Sequence, residues 1–430
     1  MSRARRAIAA FLRFCMRVFY RRIEMVRMDR VPDGPVIFAV NHPNGLVDPL
    51  FLICFAPRPV SFLAKAPLFG YPFIGWFVRT FESIPVYRKQ DKTTGTNAET
   101  FAAARAILKR GGAIAIFPEG TTHSDPQLRE LKTGAARIAL GATLPTLSVV
   151  PAGIYYTAKQ TFRSSALVVF GDPIAVHSTG PAMEMAEPPF ELVEELTAKI
   201  DAGLDAVTLQ ADSQAALELI GQAEDIFTAT EDQTLGREFD LRRQFIDGYQ
   251  FLRRNDPARL AKLQSEITRF VAELHRLGVD VFDLTPRFHA MTLFRLIVLL
   301  PIAVIGAIVN YPTYRFVGFL AKRFAKGENE MMATMKLLGA LASFPLTFIV
   351  AAALIDWKYG LIAAFATLVA FPVLGWIALR VFEDLDKLIG DARALFRRRD
   401  SQRLNAKRHA IREEMLEVAR MMTTTPAPLP

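Results

Sequence analysis

An imidazole and a carboxylate lie close together in the run Val36-Ile37-Phe38-Ala39-Val40-Asn41-His42-Pro43-Asn44-Gly45-Leu46-Val47-Asp48-Pro49. The apolar stretch 36–40 reads as a strand that delivers His42 to its end. Pro43, Asn44 and Gly45 read as a turn. Asp48-Pro49 reads as a helix start, with Asp48 as the N-cap and Pro49 at the first helical position. Such a turn can return the carboxylate to the imidazole. A carboxylate on Nδ1–H fixes the tautomer and leaves Nε2 free to take a proton. It also stabilises the imidazolium that results. Taken singly, Asp48 is a helix cap and His42 a loop residue; a general-base dyad is the alternative that their spacing leaves open.

Other groups could serve the same site. Ser83-Ile84-Pro85-Val86-Tyr87-Arg88 ends in a guanidinium, the side chain that grips phosphate through two parallel hydrogen bonds. On its own Arg88 reads more simply as a surface charge at a strand end. Phe117-Pro118-Glu119-Gly120-Thr121 follows an apolar run, which puts Glu119 at the carboxyl edge of a sheet, where α/β proteins collect ligands. A solvated turn is its plain alternative. Thr121, Thr122 and Ser124 suit phosphate contacts or a helix cap. Lys132, in Leu131-Lys132-Thr133-Gly134, is a second cation; Lys65 is a weaker one. His123 reads as a hydrogen-bonding loop residue. One His and one Asp make a poor metal site, and no His-x3-His or Cys cluster occurs, so neither metal nor cofactor is implied.

These residues need a scaffold, and the pattern around them supplies one. Stretches 36–40, 60–63, 83–87, 113–117, 149–156 and 166–170 read as strands, and 97–109 and 128–140 as helices. The alternation predicts an α/β domain over 31–187, a mixed twisted sheet flanked by helices. Residues 188–285 switch to helical periodicity over 190–209, 214–228, 241–254 and 260–277, broken at Asn255-Asp256-Pro257.

Two uncharged apolar runs then fall within 336–355 and 360–379, each long enough to span a bilayer, with only 356–359 between them. They predict a membrane hairpin within a region 286–390. A shorter run, 292–309, holds Pro301 and has basic residues on both sides, which predicts a re-entrant or interfacial segment. Residues 1–30 carry nine Arg with apolar residues at helical spacing, as in an interfacial helix on anionic lipid. Residues 391–430 form a basic tail. Both termini are expected on the cytoplasmic face of a membrane, which an even number of crossings satisfies.

The whole chain has 430 residues, 51% of them hydrophobic, with 52 Lys and Arg against 43 Asp and Glu. That composition excludes a disordered chain and suggests two or three structural units at roughly 150 residues each. Two cysteines, Cys15 and Cys54, cannot build a disulfide framework and fit a reducing compartment. No zinc-finger spacing or aromatic-basic RNA signature accompanies the positive charge, so no nucleic-acid partner is expected. Anionic membrane lipids account for it better.

On its motifs the chain resembles the glycerolipid acyltransferase superfamily, which includes glycerol-3-phosphate and 1-acylglycerol-3-phosphate acyltransferases. Four blocks carry the resemblance in order: Asn41-His42 through Asp48; Ser83 to Arg88; Phe117-Pro118-Glu119-Gly120-Thr121; and Val149-Val150-Pro151-Ala152-Gly153. Five residues separate His42 from Asp48 where the usual pattern has four, and the His-Pro-Asn run is similar to a fungal-type glycerol-phosphate acyltransferase branch. The resemblance implies that His42 is the general base, oriented by Asp48, in transfer of a fatty acyl group from acyl-CoA or acyl-carrier protein. It implies a glycerol-phosphate acceptor, either glycerol 3-phosphate or 1-acylglycerol 3-phosphate. It assigns Arg88 to the phosphate and Glu119 and Gly120 to the acceptor, with Thr121 and Lys132 beside them. Dihydroxyacetone phosphate or another lysophospholipid as acceptor, a thioester hydrolase, and a membrane scaffold without turnover are the competing readings.

Overall fold

The computed structural model describes residues 3–87, 96–176, 188–229, 234–284, 290–325, 327–396 and 398–424. The chain divides into two compact units, Met1–Asp212 with Glu328–Thr334, and Ser213–Gly327 with Met335–Pro430.

The first unit holds a mixed sheet of strands β1 (Arg22–Val26), β2 (Val36–Val40), β3 (Val60–Lys65), β4 (Ile84–Val86), β5 (Ala113–Ile116), β6 (Leu147–Tyr156), β7 (Ser165–Phe170) and β8 (Ile174–Val176). Their order is β1-β7-β6-β2-β5-β3-β4, with β8 also on β6. Only the β6–β7 and β6–β8 pairs are antiparallel. Every residue of β2 and β5 is buried, which is why both read as unbroken apolar runs. The β2–β5 register sets Ala39 opposite Ile116. The chain leaves both strands at the same sheet edge, and His42 and Glu119 each lie three residues beyond this pair.

Helices α1 (Arg3–Phe19), α2 (Val47–Phe55), α3 (Pro72–Thr80), α4 (Asn97–Lys109), α5 (Gly134–Gly141) and α6 (Phe190–Asp205) flank this sheet. A capping box between Thr96 and Glu99 starts α4 where the sequence expects it. Three local expectations change. The N-cap of α2 is Leu46, so Asp48 lies inside the first turn, fully buried, and its carboxylate is turned to the site instead of capping. The helix expected over 128–140 begins only at Gly134. The amides of Leu128, Arg129 and Lys132 are bonded to Gln210, Glu119 and the Pro118 carbonyl, which holds that stretch out of a helix. The basic helix expected over 1–30 ends at Phe19 and gives way to β1, which pairs with β7. Its Ala9, Leu12, Met16 and Phe19 are buried, and Arg5 and Arg13 donate to the carbonyls of Val60 and Cys54. Phe11 and Phe14 stay exposed on the opposite side.

In the second unit, α7 (Gln214–Thr228), α8 (Leu235–Asn255), α9 (Pro257–Leu277) and the later α13 (Arg398–Thr424) share a core that includes Ile226, Ile267, Phe270, Leu404, Ile411 and Met415. The basic C-terminal segment therefore forms a packed helix with an apolar face. Ser213, Thr234 and Asp256 cap α7, α8 and α9 with their side chains.

Between them run α10 (Ala290–Phe324), α11 (Asn329–Tyr359) and α12 (Leu361–Phe396). All three contain stretches long and apolar enough to cross a membrane by length and composition: Leu293–Phe324, Asn329–Tyr359 and Leu361–Arg393. The segment 292–309 continues without a break through Pro301 and Pro312, so the short re-entrant piece expected there is part of one long helix. A proline ring inside an apolar helix is tolerated when neighbouring helices pack on it. Here α10 lies against α12, and Asn310 donates to the carbonyls of Gly306 and Phe371. Gly360, at φ +84°, makes the one-residue turn between α11 and α12.

Candidate active site

At the end of β2 the backbone stops pairing, and side chains take over. Asn41 extends the sheet through its amide, donating to the Ile154 carbonyl (3.1 Å) and accepting from the Ile154 N–H (2.7 Å). This fixes the backbone from which His42 projects. His42 donates from Nδ1 to Oδ2 of Asp48 at 2.8 Å. The imidazole lies flat on the Phe117 ring, with centroids 4.0 Å apart and planes at 16°. Its side chain is 16% exposed. With Nδ1 engaged, Nε2 is the nitrogen left for a proton.

Asp48 is fully buried, so its charge needs donors. Oδ2 accepts also from the Asn44 N–H at 2.7 Å, and Oδ1 accepts from the Tyr156 hydroxyl at 2.5 Å. Burial first, and the Asp48 charge second, push the Tyr156 phenol well above its ordinary range, so it remains a donor. Tyr20 packs its ring on Tyr156 and Phe51, and burial raises its hydroxyl in the same direction. Sequence reasoning missed Tyr156 and Asn44 as partners. Tyr156 is the final residue of an apolar strand 108 positions from Asp48, and nothing local marks it.

Glu119 stands behind His42. It is 3% exposed, Oε1 accepts the His42 N–H at 3.1 Å, and Oε2 accepts the Arg129 N–H at 3.0 Å. His123 donates from Nε2 to the same Oε2, accepts the Asp125 N–H at Nδ1, and gives its own backbone N–H to the His42 carbonyl. Both oxygens of Glu119 are thus occupied by the protein. Oε1 of Glu119 thereby holds the backbone N–H of His42.

Gly120 has φ +71°, in the left-handed region, and Lys132 lies across it: a Cβ there would fall 2.6 Å from Lys132 Cε. Lys132 and Thr121 are exposed. His42, Asp48, Glu119, Gly120 and Lys132 therefore belong to the same sheet edge. Arg88 lies outside the described residues. Among the described residues no group of three or more His, Cys, Asp or Glu is placed to hold a metal ion.

Residues 22–155, which include His42, Asn44, Asp48, Glu119, His123 and Lys132 but neither Tyr20 nor Tyr156, match the family model described as Acyltransferase. An uncharacterized acyltransferase of Schizosaccharomyces pombe is 25% identical over 77% of this chain and 65% of its own length. Glycerol-3-phosphate O-acyltransferase 2 of Saccharomyces cerevisiae is 29% identical over 59% of this chain and 37% of its own. A 1-acyl-sn-glycerol-3-phosphate acyltransferase of Pseudomonas aeruginosa is 26% identical over 37% of this chain and 62% of its own. The chain thus spans less than two thirds of the length of each. The crystal structure of a 1-acyl-sn-glycerophosphate acyltransferase from Thermotoga maritima matches with 20% identity and a TM-score of 0.33, over 47% of this chain and 82% of that one. Residues 22–155 are therefore similar to an acyltransferase domain, and the relatives named for glycerol-phosphate substrates are glycerolipid acyltransferases.

Proposed function

We propose that this chain is a membrane-bound O-acyltransferase that moves a fatty acyl group from acyl-CoA or acyl-carrier protein to a hydroxyl of a glycerol-phosphate acceptor. One observation carries the reading: the 2.8 Å bond from His42 Nδ1 to a buried carboxylate that two further protein donors hold in place. That geometry fits a general base. Nε2 takes the hydroxyl proton as the alcohol oxygen bonds to the thioester carbonyl carbon. The C–S bond then breaks, and the thiolate leaves and is protonated. A thioester is already activated, so positioning and base catalysis suffice, with no acyl-enzyme.

Glycerol 3-phosphate is the acceptor we favour over its 1-acyl form. The yeast glycerol-3-phosphate acyltransferase aligns over 59% of this chain, whereas the Pseudomonas 1-acyl-sn-glycerol-3-phosphate acyltransferase aligns over 37%. Arg88 is assigned the acceptor phosphate from its motif block, with Lys132 as the second cation beside Gly120 and Thr121. Glu119 is assigned to positioning, because it is buried and its oxygens are used. The apolar helices would hold the acyl chain's membrane close, and the basic residues would face anionic lipid on the cytoplasmic side.

The test is an acceptor panel for purified protein in detergent, scored by product mass. Glycerol 3-phosphate, 1-acylglycerol 3-phosphate and dihydroxyacetone phosphate are each offered with palmitoyl-CoA. Lysophosphatidate from glycerol 3-phosphate is expected, and His42→Ala should lower kcat by about 10²–10⁴-fold. Undiminished turnover in His42→Ala rejects the base. Free fatty acid without any acceptor marks a hydrolase, and no turnover with any acceptor favours a scaffold.

A further inference from the structure

The loop between base and carboxylate is gripped from outside the acyltransferase domain. Glu328–Thr334 belongs to the first unit although it opens α11, far downstream in sequence. The Leu46 N–H donates to Thr334 Oγ1 at 3.1 Å. Gly45, at φ +39°, sits so close that a Cβ would lie 2.9 Å from Thr334 Oγ1 and 3.1 Å from the Glu330 carbonyl oxygen. Glu330 accepts from the Ser124 hydroxyl and pairs with Lys159 at 3.9 Å. Lys159 also donates to Ser124 Oγ (2.5 Å) and to the Pro43 carbonyl (3.4 Å), and its own carbonyl accepts from Asn44 Nδ2 (3.2 Å). Pro43, Asn44, Gly45 and Leu46 therefore each meet a partner, directly from residues 330–334 or through Lys159, which Glu330 holds.

We propose that Thr334 and Glu330 are positioning residues for the His42–Asp48 dyad: the first turns of α11 clamp the His-to-Asp loop and so fix the distance across which the dyad bonds. The argument rests on the acyltransferase reading above. It also explains how a loop of five residues keeps a hydrogen bond between its ends: an unsupported loop has more ways to hold His42 and Asp48 apart. A clamp of this kind changes the population of aligned dyads, and so it acts on kcat more than on substrate binding.

The experiment uses the full chain in detergent with two readouts. The first is kcat and KM for glycerol 3-phosphate and palmitoyl-CoA in Thr334→Val, Thr334→Ser and Glu330→Gln. We expect kcat to fall about tenfold in Thr334→Val, the fold-change of one lost hydrogen bond, with both KM values within about twofold and Thr334→Ser near wild type. Glu330→Gln should fall in the same direction. The second readout needs no turnover: the rate at which diethyl pyrocarbonate modifies His42, against His409 as internal reference, followed by peptide mass. Thr334→Val should speed modification of His42 severalfold and leave His409 unchanged. If wild-type protein is active while Thr334→Val matches it in kcat and in His42 labelling, the clamp is overturned and the acyltransferase reading stands. A kcat loss that Thr334→Ser does not restore also overturns it. Altered His42 labelling in a protein that acylates none of the acceptors keeps the clamp and rejects the reading.

Discussion

Tyr156 donates its phenolic hydrogen to Oδ1 of Asp48 at 2.5 Å, while His42 holds the other oxygen of the same carboxylate. The two bonds reach different oxygens of the buried group, one from the end of β6 and one from just beyond the end of β2. Asp48 cannot rotate toward one donor without losing the other. Because the Tyr156 phenol is held well above its ordinary range, the bond persists through the neutral and mildly alkaline range. Tyr156→Phe should therefore free Asp48 to swing and loosen the imidazole. We expect kcat to drop about tenfold, with KM for the acceptor unchanged, because the loss of one such bond is worth about 1–1.5 kcal/mol. Steady-state kinetics with circular dichroism as a fold check decides it. An unchanged kcat would show that Asn44 alone holds the carboxylate.

Glu119 faces three N–H donors with its two oxygens, from the His42 and Arg129 backbones and the His123 ring. Glutamine offers one oxygen and one NH2 group. Whichever way the amide turns, its NH2 meets a donor in a site that is 3% exposed. Glu119→Gln should cost about 1–3 kcal/mol of stability and lower kcat together, since the backbone of His42 loses its support. Thermal unfolding alongside kinetics measures both. A variant of full stability whose only defect is a raised acceptor KM would instead make Glu119 an acceptor ligand.

Gly120 tests the cationic side. Any side chain there meets two costs, a left-handed backbone at φ +71° and the Lys132 stem 2.6 Å from the new Cβ. The stem is flexible and can move, so Lys132 is displaced while the fold survives at about 1–2 kcal/mol. If Lys132 contacts acceptor phosphate, Gly120→Ala should raise KM for glycerol 3-phosphate severalfold with a smaller change in kcat. Lys132→Met should do the same, and the double variant should add little, since both act through one side chain. Additive effects would separate the two residues.

The central strands and the approach of His42 to Asp48 were legible because their signals are local. The buried runs 36–40 and 113–116 are continuous and apolar, as strands covered on both faces must be, and His42 and Asp48 lie six positions apart. What escaped depends on partners distant in sequence. β1 is a short strand with charged residues at positions 22 and 24, and only its pairing with β7 makes it a strand. Thr334 touches Leu46 from 288 residues away. The long α10 was underread because Pro301 suggests a break, while packing on α12 carries the helix through it.

Asp225 gives the helical unit a pH dependence of its own. Its carboxyl is raised to about 6, chiefly by burial and then by the neighbouring Glu224, with Arg242 opposing and Asp280 adding to the rise. In the unfolded chain the same group titrates near 3.8. Between those two values the folded form keeps a proton that the unfolded form has lost, so folding is favoured most below about pH 4. That favourable contribution fades as pH rises through 6. Above it, the buried charge costs on the order of 3 kcal/mol. Asp225→Asn keeps the shape, removes the ionisation and should flatten this profile. The measurement is amide hydrogen exchange in α7, comparing variant with wild type at each pH, which cancels the intrinsic exchange rate. Protection should be equal at about pH 4 and greater in Asp225→Asn at pH 7.5, the difference opening through pH 6. Equal protection at both ends would mean that Arg242 fully compensates the charge, and a less protected variant at pH 7.5 would mean that the carboxylate is itself a stabilising partner of Arg242.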